Sequence, residues 1–500
     1  MSSTDLENST PTFSQDAGAA ADATITEEGS GSEKTKSFEV TLEEDDPENV
    51  QSQMSLQRKW FVALLVTFTA ADITMTSSCW SLAQADIRRR FNMSQEVSIL
   101  GLSLYLLGMG CGPLLLSPLS ELYGRKPTFI GSLSISMCFL FLTTWGRNIP
   151  ALLIGRFLSG FFGSSFLSVA GGVISDIFSK QQIGVPMTIY TTATFLGPAL
   201  GPLISGALSH VSYRWTFVVM IIESGVYVLL LLLTFKETYT PVLLVAKARR
   251  LREQTGDDRY YAPLEVIRRE FSLLQAIGLS VGRPFGLLTR DPMMGVLCFY
   301  TGLILAIVYM FFVAFPYVFT KLYHFTSAEV GVTYMGLLVG ILLVAPTSVI
   351  FQRKYERKVS SNNGVRVPEF RFEPLFYGAF LAPMGLMIFA WTSYSHVHWI
   401  APIIGTSVFG AGVFFIFTGI FGYTVDAFRL YTASAMACNS FVRSMMGGTF
   451  PLFTLQMYRR LGVNWASFLL AMISLAMVPV PFLFTRYGAY LRSKSPYAWD

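Results

Sequence analysis

The sequence predicts an all-α, polytopic membrane protein whose twelve transmembrane helices form two six-helix bundles. Hydrophobic residues make up 52% of the 500 residues and charged residues 14%, whereas soluble domains carry about 25% charged residues. From Trp60 onward, apolar runs alternate with short polar breaks, and each run is long enough to cross a hydrocarbon core of about 30 Å as a helix. The polar stretch at 236–291 divides the runs into two sets of six.

The predicted spans follow the apolar runs in chain order. Glycine and proline inside the fifth run are compatible with a helix only where neighbouring spans satisfy the freed backbone groups. The spans are predicted at 60–83, 97–117, 128–145, 150–174, 185–208, 215–235, 292–316, 328–350, 374–394, 400–425, 432–457 and 464–486.

The chain divides into five parts. Residues 1–55 are rich in Ser, Thr, Glu and Asp, which predicts a disordered, acidic, cytoplasmic tail. Residues 56–236 and 292–486 are expected to form the N-terminal and C-terminal six-helix bundles, joined by a cytoplasmic central loop at 237–291. Residues 487–500 form a cytoplasmic C-terminal tail. Two related halves are common among secondary transporters.

The distribution of Lys and Arg predicts the side of the membrane on which each loop lies. With the N-terminus in the cytoplasm, the inside loops and tails carry most of these residues, and the cluster at 88–90 is the main exception. Both termini are therefore expected inside. No cleavable apolar segment precedes the first span, so internal spans are expected to direct targeting. The glycosylation motif at Asn92 lies so close to the membrane that its use stays open.

A short charged connection at 117–127 joins the second and third spans. Gly124 permits a tight reversal of the chain, and Arg125 and Lys126 lie where cytoplasmic loops collect positive charge. Together with Glu121 they are predicted to form a gating loop that latches a transporter in one conformation. An ordinary basic turn is the alternative.

Three ionisable residues inside the spans are candidates for proton coupling. Arg156 lies in the fourth span, where a guanidinium costs about 2.5–3.5 kcal/mol to insert, so it is expected to face a water-filled cavity or a carboxylate. Asp72 lies near the middle of the first span and Glu223 in the sixth. An acid that changes protonation as a cavity opens is what proton coupling requires. The alternative for all three is a structural contact with a neighbouring helix.

The fifth span carries small residues and prolines along one helix. Small residues allow close approach of backbones, and proline removes an intrahelical hydrogen bond. This pattern predicts an interface that moves as two bundles rock against each other, and a static kinked helix is the alternative. The residues assigned to this helix are Gly184, Gly197, Pro198, Gly201 and Pro202.

Aromatic and polar residues in the second half are candidates for a substrate cavity. Aromatic side chains can form an apolar pocket that tolerates cations. Most such aromatic residues in membrane proteins face lipid or other helices. For Arg443, pairing with another helix is as good an interpretation as contact with substrate. The candidates are Tyr309, Phe312, Phe417, Asn439 and Arg443.

Sequence patterns of the commoner reaction classes are missing. The chain has no phosphate-binding loop, no His-Glu-x-x-His and no Gly-x-Ser-x-Gly. Its five cysteines lie in apolar stretches without Cys-x-x-Cys spacing, which argues against a disulfide framework or a zinc site. We expect neither an enzyme nor a bound cofactor or metal. The expected partners are a small-molecule substrate, protons and the lipid bilayer, with no nucleic acid, and the chain is expected to be monomeric.

The segment at 117–127 resembles the loop motif of the major facilitator superfamily. Glu121 stands at its acidic position, Gly124 and the two following basic residues match, and Ser117 stands where a glycine is usual. Arg156 with Gly160 is similar to the fourth-helix motif, whose arginine is associated with proton transfer in this superfamily.

The fifth-helix pattern resembles the antiporter motif, which separates proton-coupled exporters from importers in the superfamily. Ala193 and Pro202 replace two glycines of that motif. More narrowly, the segments at 118–125, 236–244 and 451–453 resemble those of fungal twelve-span drug:proton antiporters, a likeness that covers about 60–486.

The resemblance implies export of drugs, toxins, polyamines or secondary metabolites by alternating access, at the plasma membrane, without identifying the compound. In this superfamily the first, fourth, seventh and tenth helices line the cavity, which favours Asp72 and Arg156 over Glu223. An importer or facilitator of a small nutrient is the main alternative. A vacuolar location and a non-transporting sensor are further alternatives.

Overall fold

The structure is a computed structural model that describes residues 38–42, 46, 49–179, 182–270, 273–428 and 431–495. The secondary structure of these ranges is helical, apart from one isolated parallel bridge between Glu39 and Tyr261. The all-α prediction is therefore confirmed for the described part of the chain. Most of the predicted N-terminal tail, and residues 496–500 of the predicted C-terminal tail, lie outside the described residues.

Twelve long helices coincide with the twelve predicted spans. The fourth and eighth of them consist of three helical segments, and the twelfth of two, divided by short irregular steps. The helices are α1 Leu56–Ser78, α2 Gln95–Tyr123, α3 Arg125–Trp145, α4 Ile149–Ile177, α5 Gly184–Leu208, α6 Tyr213–Thr234, α7 Pro292–Tyr323, α8 Ser327–Ser361, α9 Glu373–Thr392, α10 Ile400–Ala427, α11 Thr432–Leu461 and α12 Val463–Ser493.

Within the described ranges, ten of these helices are long and apolar enough to cross a membrane. The other two, α5 and α11, have 25 and 30 residues but carry more Gly, Pro, Ser and Thr. Twelve membrane crossings therefore stay a prediction. Shorter helices lie at Val50–Gln53, Trp80–Phe91, Thr240–Thr255, Pro263–Glu270 and Leu273–Arg290, and a 3-10 turn at Pro368–Phe372 precedes α9.

Capping residues fix several helix ends. The carboxylate of Asp291 accepts hydrogen bonds from the backbone N–H groups of Met293 and Met294 at the start of α7, which satisfies donors that have no partner inside the helix. Thr326 and Glu329 form a reciprocal capping box at the start of α8. Gly124 separates α2 from α3 with φ of 106°, a value that favours glycine.

The two halves of the chain repeat one pattern of helix packing. In the first half α1 packs on α5, α2 on α4, α3 on α4 and α3 on α6. In the second half the corresponding pairs are α7 with α11, α8 with α10, α9 with α10 and α9 with α12. The halves meet through α2 with α11 and α5 with α8, which are also equivalent pairs. This repeat is far clearer in the packing than in the sequence.

The contact between α5 and α8 is closest at one end of the bundle. A Cβ atom added to Gly206 would lie 2.7 Å from the carbonyl oxygen of Ser327, and one added to Gly331 would lie 2.8 Å from that of Pro202. Neither position has room for a side chain, so the two halves are closed against each other at this end. It is the end predicted to face outside.

Part of the N-terminal segment packs on the central loop. Backbone hydrogen bonds join Val40 and Phe38 to Tyr261. Lys247 donates to the carboxylate of Asp46 at 2.5 Å, and Val40 packs against Ala248 of the helix Thr240–Thr255. The N-terminal segment and the central loop therefore lie on the same side of the bundle.

Candidate functional site: the polar layer between the two halves

Arg156 of α4 is completely buried and makes three hydrogen bonds to backbone carbonyl groups. It donates to Gly101 of α2 at 3.0 Å, and to Thr76 and Ser77 of α1 at 3.0 and 2.9 Å. The ring of Tyr105 lies 4.2 Å from the guanidinium carbon. Arg156 therefore ties three helices of the first half together.

The break between α1 and the helix Trp80–Phe91 explains why carbonyl groups are available to Arg156. The chain leaves regular helix at Cys79, and carbonyl groups near a helix end lack their usual partners. Because the described partners of Arg156 are carbonyl oxygens and its side chain has no exposed surface, the expectation that it faces a carboxylate or a water-filled cavity is wrong.

The structure places Asp72 beside Glu223 rather than against Arg156. One carboxylate oxygen of Asp72 accepts a hydrogen bond from Ser224 of α6 at 2.9 Å. The carboxyl groups of Asp72 and Glu223 are close enough to hydrogen-bond to each other. Asp72 Oδ1 and Glu223 Oε2 are both buried, and neither has a donor among the described residues. Two facing acceptors need a proton between them, so this pair is suited to hold one.

Ser77 connects this region to the second half. Its hydroxyl group lies 2.8 Å from that of Tyr309 in α7, and its backbone carbonyl accepts from Arg156. Tyr309, a predicted cavity residue, is thus buried at the contact between α1 and α7. Ser77 and Ser224 were not selected as site residues from the sequence, and a serine in a span gives little signal on its own.

The other predicted cavity residues divide into two groups. Phe417 of α10 packs on Phe195 of α5, with ring centroids 4.6 Å apart, so it bridges the halves. Phe312 stacks on Tyr334 of α8 at 5.5 Å and is buried inside the second half. Asn439 of α11 donates to Thr301 of α7 at 2.8 Å.

Arg443 lies one helical turn beyond Asn439 and is half-buried. Its guanidinium carbon is 5.6 Å from the ring of Phe417 and 5.5 Å from that of Phe421. Its Nε atom is buried and has no hydrogen-bond partner in the described part of the chain. None of the described carboxylates forms an ion pair with it.

The predicted gating loop forms a compact polar cluster at the junction of α2 and α3. Arg125 pairs with Asp176 at 3.2 Å, donates to Ser120 at 3.0 Å, and lies over the ring of Tyr239. The cluster connects α3 to the end of α4, inside one half of the molecule.

Glu237 completes this cluster. Its carboxylate accepts from the backbone N–H groups of Arg125 at 2.9 Å and Lys126 at 3.1 Å, and it lies against Gly124. A carboxylate at the N-terminus of a helix is stabilised by the helix dipole. Glu121 faces Arg125 and Arg283 from the end of α2. Glu237 lies in the segment 236–244 that resembles fungal antiporters, but the sequence did not indicate its contact with the loop.

The second half contains an equivalent cluster that the sequence did not reveal. Arg371, just before α9, pairs with Asp426 at the end of α10 at 2.8 Å and lies 3.5 Å from the ring centre of Tyr355. The Nη1 atom of Arg371 donates to the side-chain oxygen of Gln352 at 2.8 Å. The helix positions of Arg371 and Asp426 match those of Arg125 and Asp176, although the surrounding sequences do not.

The small residues of α5 face two different neighbours. Side chains at Gly197 or Gly201 would overlap atoms of α1, in the same half. Gly184 lies near Gln352 of α8, and Pro202 lies against Gly331 of α8, both in the other half. Pro198 is inside the helix between the two glycines. Whether α5 moves during transport stays a prediction, but its closest glycine contacts are within one half.

Two halves with matching helix pairs, which meet at buried contacts such as that of Ser77 with Tyr309, are the architecture of a secondary transporter. A family model described as Major Facilitator Superfamily matches residues 61–451. The chain belongs to this superfamily and is a multi-pass membrane transporter.

Similar proteins agree with this assignment. The chain is 58% identical over 499 residues to the probable drug/proton antiporter YHK8 of Saccharomyces cerevisiae, covering 99% of this chain and 97% of that protein. It is 41% identical to the efflux pump atB of Aspergillus terreus, covering 94% and 92%. The xylose transporter XylE from E. coli, in a partially occluded inward open conformation, matches with a TM-score of 0.58 and 14% identity, covering 84% of this chain and 98% of XylE. The last likeness concerns the fold alone.

Proposed function

We propose that this chain exports small organic compounds across the membrane in exchange for protons, by alternating access between its two halves. The observation that carries the proposal is the neighbouring carboxyl pair of Asp72, which is buried, and Glu223, which is half-buried: each has one buried oxygen without a donor among the described residues. Relatives named as a drug/proton antiporter and an efflux pump support the export direction. The chain acts as a transporter and not as an enzyme.

The carboxyl pair is the proposed proton site. With one proton bound, one carboxyl donates to the other and both are satisfied. Without it, two negative charges share a buried space, and each would need water or a new donor. Loss of the proton therefore favours a rearrangement that opens the interface between α1 and α6. Arg156 acts as a positioning residue, since it fixes α1 a single turn from Asp72.

Helix α1 is the proposed route from the proton site to the interface between the halves. It carries Asp72 toward α6 and Ser77 toward Tyr309 of α7. A small shift of α1 therefore changes both contacts together. The loop clusters around Arg125 and Arg371 hold α3 to α4 and α9 to α10, so each half moves as one body. In this proposal Glu121, Gly124 and Lys126 belong to the latch on the cytoplasmic side.

The proposed location is the plasma membrane, with a monomeric chain and both termini in the cytoplasm. The bridge between Glu39 and Tyr261 supports a common side for the N-terminal segment and the central loop. The bias of Lys and Arg supports the cytoplasm as that side. The bundles at 56–236 and 292–486, joined by the loop at 237–291, are the proposed moving parts.

The test uses purified protein in liposomes whose lumen is acidic, so that protons leave as substrate enters. We expect the protein to accumulate a fluorescent substrate in the lumen, and a protonophore to abolish the accumulation. Protein-free liposomes give the passive background. Accumulation that persists after the pH gradient is removed contradicts proton exchange, and accumulation only under the opposite gradient indicates an importer.

A further inference from the structure

The two arginines inside the helices have opposite surroundings. Arg156 makes three hydrogen bonds, has a ring at 4.2 Å and is sealed from solvent. Arg443 has none of these bonds among the described residues, its Nε is buried without a partner, and its rings lie at 5.5 and 5.6 Å. Cation–π attraction extends only to about 6 Å, so these rings compensate weakly for the lost hydration. Arg443 therefore retains free donor groups inside the protein.

Arg443 lies at the boundary between the halves. Gly302 of α7 lets that helix approach, since a Cβ there would be 3.6 Å from the Cα atom of Arg443. The next residue of α11, Ser444, lies against α2 of the first half, since a Cβ added to Gly110 would be 2.8 Å from the Cβ atom of Ser444. Because the side chain is half-buried and α11 packs on helices of both halves, Arg443 is partly accessible at the boundary between them.

The groups described around Arg443 are aromatic or neutral. Phe417 and Phe421 cover the guanidinium, and Phe195 extends the aromatic surface from α5. Asn439, on the same side of α11, has a buried Oδ1 atom without a donor. Arg443 thus lies among aromatic rings and beside an amide oxygen without a donor among the described residues, and Phe417 and Asn439 are themselves fully buried in this conformation.

Carboxylates that might neutralise Arg443 are engaged elsewhere. In the described part of the chain, Asp426 of α10 is held by Arg371 and Tyr355. Asp72 and Glu223 face each other between α1 and α6. The charge at this place is therefore positive, and a bound molecule is the available source of a counter-charge.

We propose that Arg443 binds the carboxylate of a small aromatic monocarboxylate, which the chain exports; this inference rests on the proposed function. A carboxylate matches the guanidinium fork in two parallel hydrogen bonds. The aromatic body of the substrate packs on Phe417 and Phe421, and a hydroxyl or N–H group beside the carboxylate donates to Asn439.

A cationic substrate fits this place poorly. Two like charges repel most strongly where water is excluded, and the free Arg443 would lose hydration without gaining a partner. The site therefore selects anions over cations. The sequence analysis expected an aromatic pocket that tolerates cations, and it left open whether Arg443 pairs with another helix. Because Arg443 has no such partner among the described residues, its positive charge favours an anionic substrate instead.

The test compares 2-naphthoate with 2-naphthamide, a neutral molecule of the same shape, on the purified full-length protein. We expect naphthoate to bind more tightly than naphthamide to the unaltered protein. Arg443→Gln is expected to weaken naphthoate binding by about tenfold or more, since a charged hydrogen bond contributes about 1.5–3 kcal/mol, and to leave naphthamide binding within about twofold. Arg443→Lys restores part of the preference. Arg460→Gln removes an exposed charge from the same helix and keeps the preference.

The outcomes separate this inference from the proposed function. Equal binding of the two probes by the unaltered protein, or binding of neither, overturns the carboxylate site, and so does an unchanged preference in Arg443→Gln. If Arg443→Gln fails to fold, Arg443→Lys and Asn439→Leu take its place: a preference that is reduced in either folded variant supports the site, and an undiminished preference in both overturns it. If naphthoate binds preferentially but no probe is transported under a pH gradient, the site stands and proton-driven export fails.

Discussion

Ser77 Oγ and Tyr309 Oη lie 2.8 Å apart and form a hydrogen bond between the first and seventh helices, one from each half. Ser77 donates its own hydroxyl proton to the carbonyl oxygen of Thr74 at 2.6 Å, so Tyr309 is the donor toward Ser77. Alternating access requires the halves to separate on one side, and α1 and α7 belong to different halves. This bond therefore contributes to the balance between conformations.

Tyr309→Phe removes this bond but keeps the aromatic ring. A buried neutral hydrogen bond contributes about 1 kcal/mol, which corresponds to about a fivefold change in the ratio of two conformations. We expect a shift away from the conformation closed between α5 and α8. Spin labels at His210 and Lys321, in a variant without native cysteines, report the distance between the end of α5 and the end of α7, beside the closed contact.

Tyr323→Phe is the matched control for that experiment. Tyr323 donates to the carbonyl oxygen of Tyr394 at 3.0 Å, inside the second half. Loss of this hydrogen bond is expected to lower stability without changing the distance distribution between the two spin labels. An unchanged distribution in Tyr309→Phe would show that the bond to Ser77 contributes equally to both conformations.

Asp72→Asn tests the proton site. Asparagine keeps the size of the side chain and can still accept from Ser224, but it cannot release a proton. We expect accumulation driven by a pH gradient to fall to the level without a gradient, while substrate binding is retained. Glu223→Gln is expected to do the same, because a glutamine amide donates permanently to Asp72.

The two variants also distinguish the members of the pair. If Asp72→Asn loses the response to the gradient and Glu223→Gln keeps it, Asp72 alone carries the proton. Normal gradient-driven transport in both variants contradicts the assignment. Counterflow of substrate without any gradient serves as the control, since exchange of substrate for substrate needs no net proton movement.

Arg156→Ala is expected to act on folding. It leaves three buried carbonyl groups without donors, and an unsatisfied buried group costs about 1–3 kcal/mol. The melting temperature and the membrane abundance should fall together with transport. Arg156→Lys keeps one charged donor and should lie between the variant and the unaltered protein. Full abundance with abolished transport in Arg156→Ala would instead assign Arg156 a direct part in the proton transfer.

Periodicity and composition were sufficient to predict the helices because crossing a membrane imposes length and apolarity on each of them. The sequence also located Arg156 and Arg443, since a charge inside an apolar run is conspicuous. It could not supply their partners. Arg156 binds carbonyl oxygens of Thr76 and Ser77, which every residue possesses, so no side-chain pattern marks them.

The acid pair was missed for a different reason. Asp72 and Glu223 are far apart in the chain, and the choice between them rested on which helices line the cavity. The packing of α1 on α6 brings them together, with Ser224 as the donor. Similarly, the cluster around Arg371 repeats the one around Arg125 in helix position but not in local sequence, so only the three-dimensional repeat identifies it.

Gly197→Ala tests whether the small residues of α5 serve packing or movement. An added Cβ would overlap the side chain of Thr74 and lie 2.5 Å from the carbonyl oxygen of Ala71. Because α1 and α5 belong to the same half, we expect lower membrane abundance and a lower melting temperature. Gly131→Ala is the control, since no atom lies within 4 Å of its added Cβ. Normal abundance with lost transport in Gly197→Ala would favour the moving interface.

Accessibility of single cysteines tests the sides assigned to the loops. In a variant without the five native cysteines, cysteines at Ser52 and Thr255 should resist an impermeant thiol reagent in intact cells, whereas one at Lys321 should react. The physical reason is the bridge between Glu39 and Tyr261, which holds the N-terminal segment and the central loop on one side. Permeabilised cells show whether each cysteine is reactive at all. Reaction at Ser52 and Thr255 without reaction at Lys321 would invert the topology, and opposite results at Ser52 and Thr255 would contradict the bridge itself.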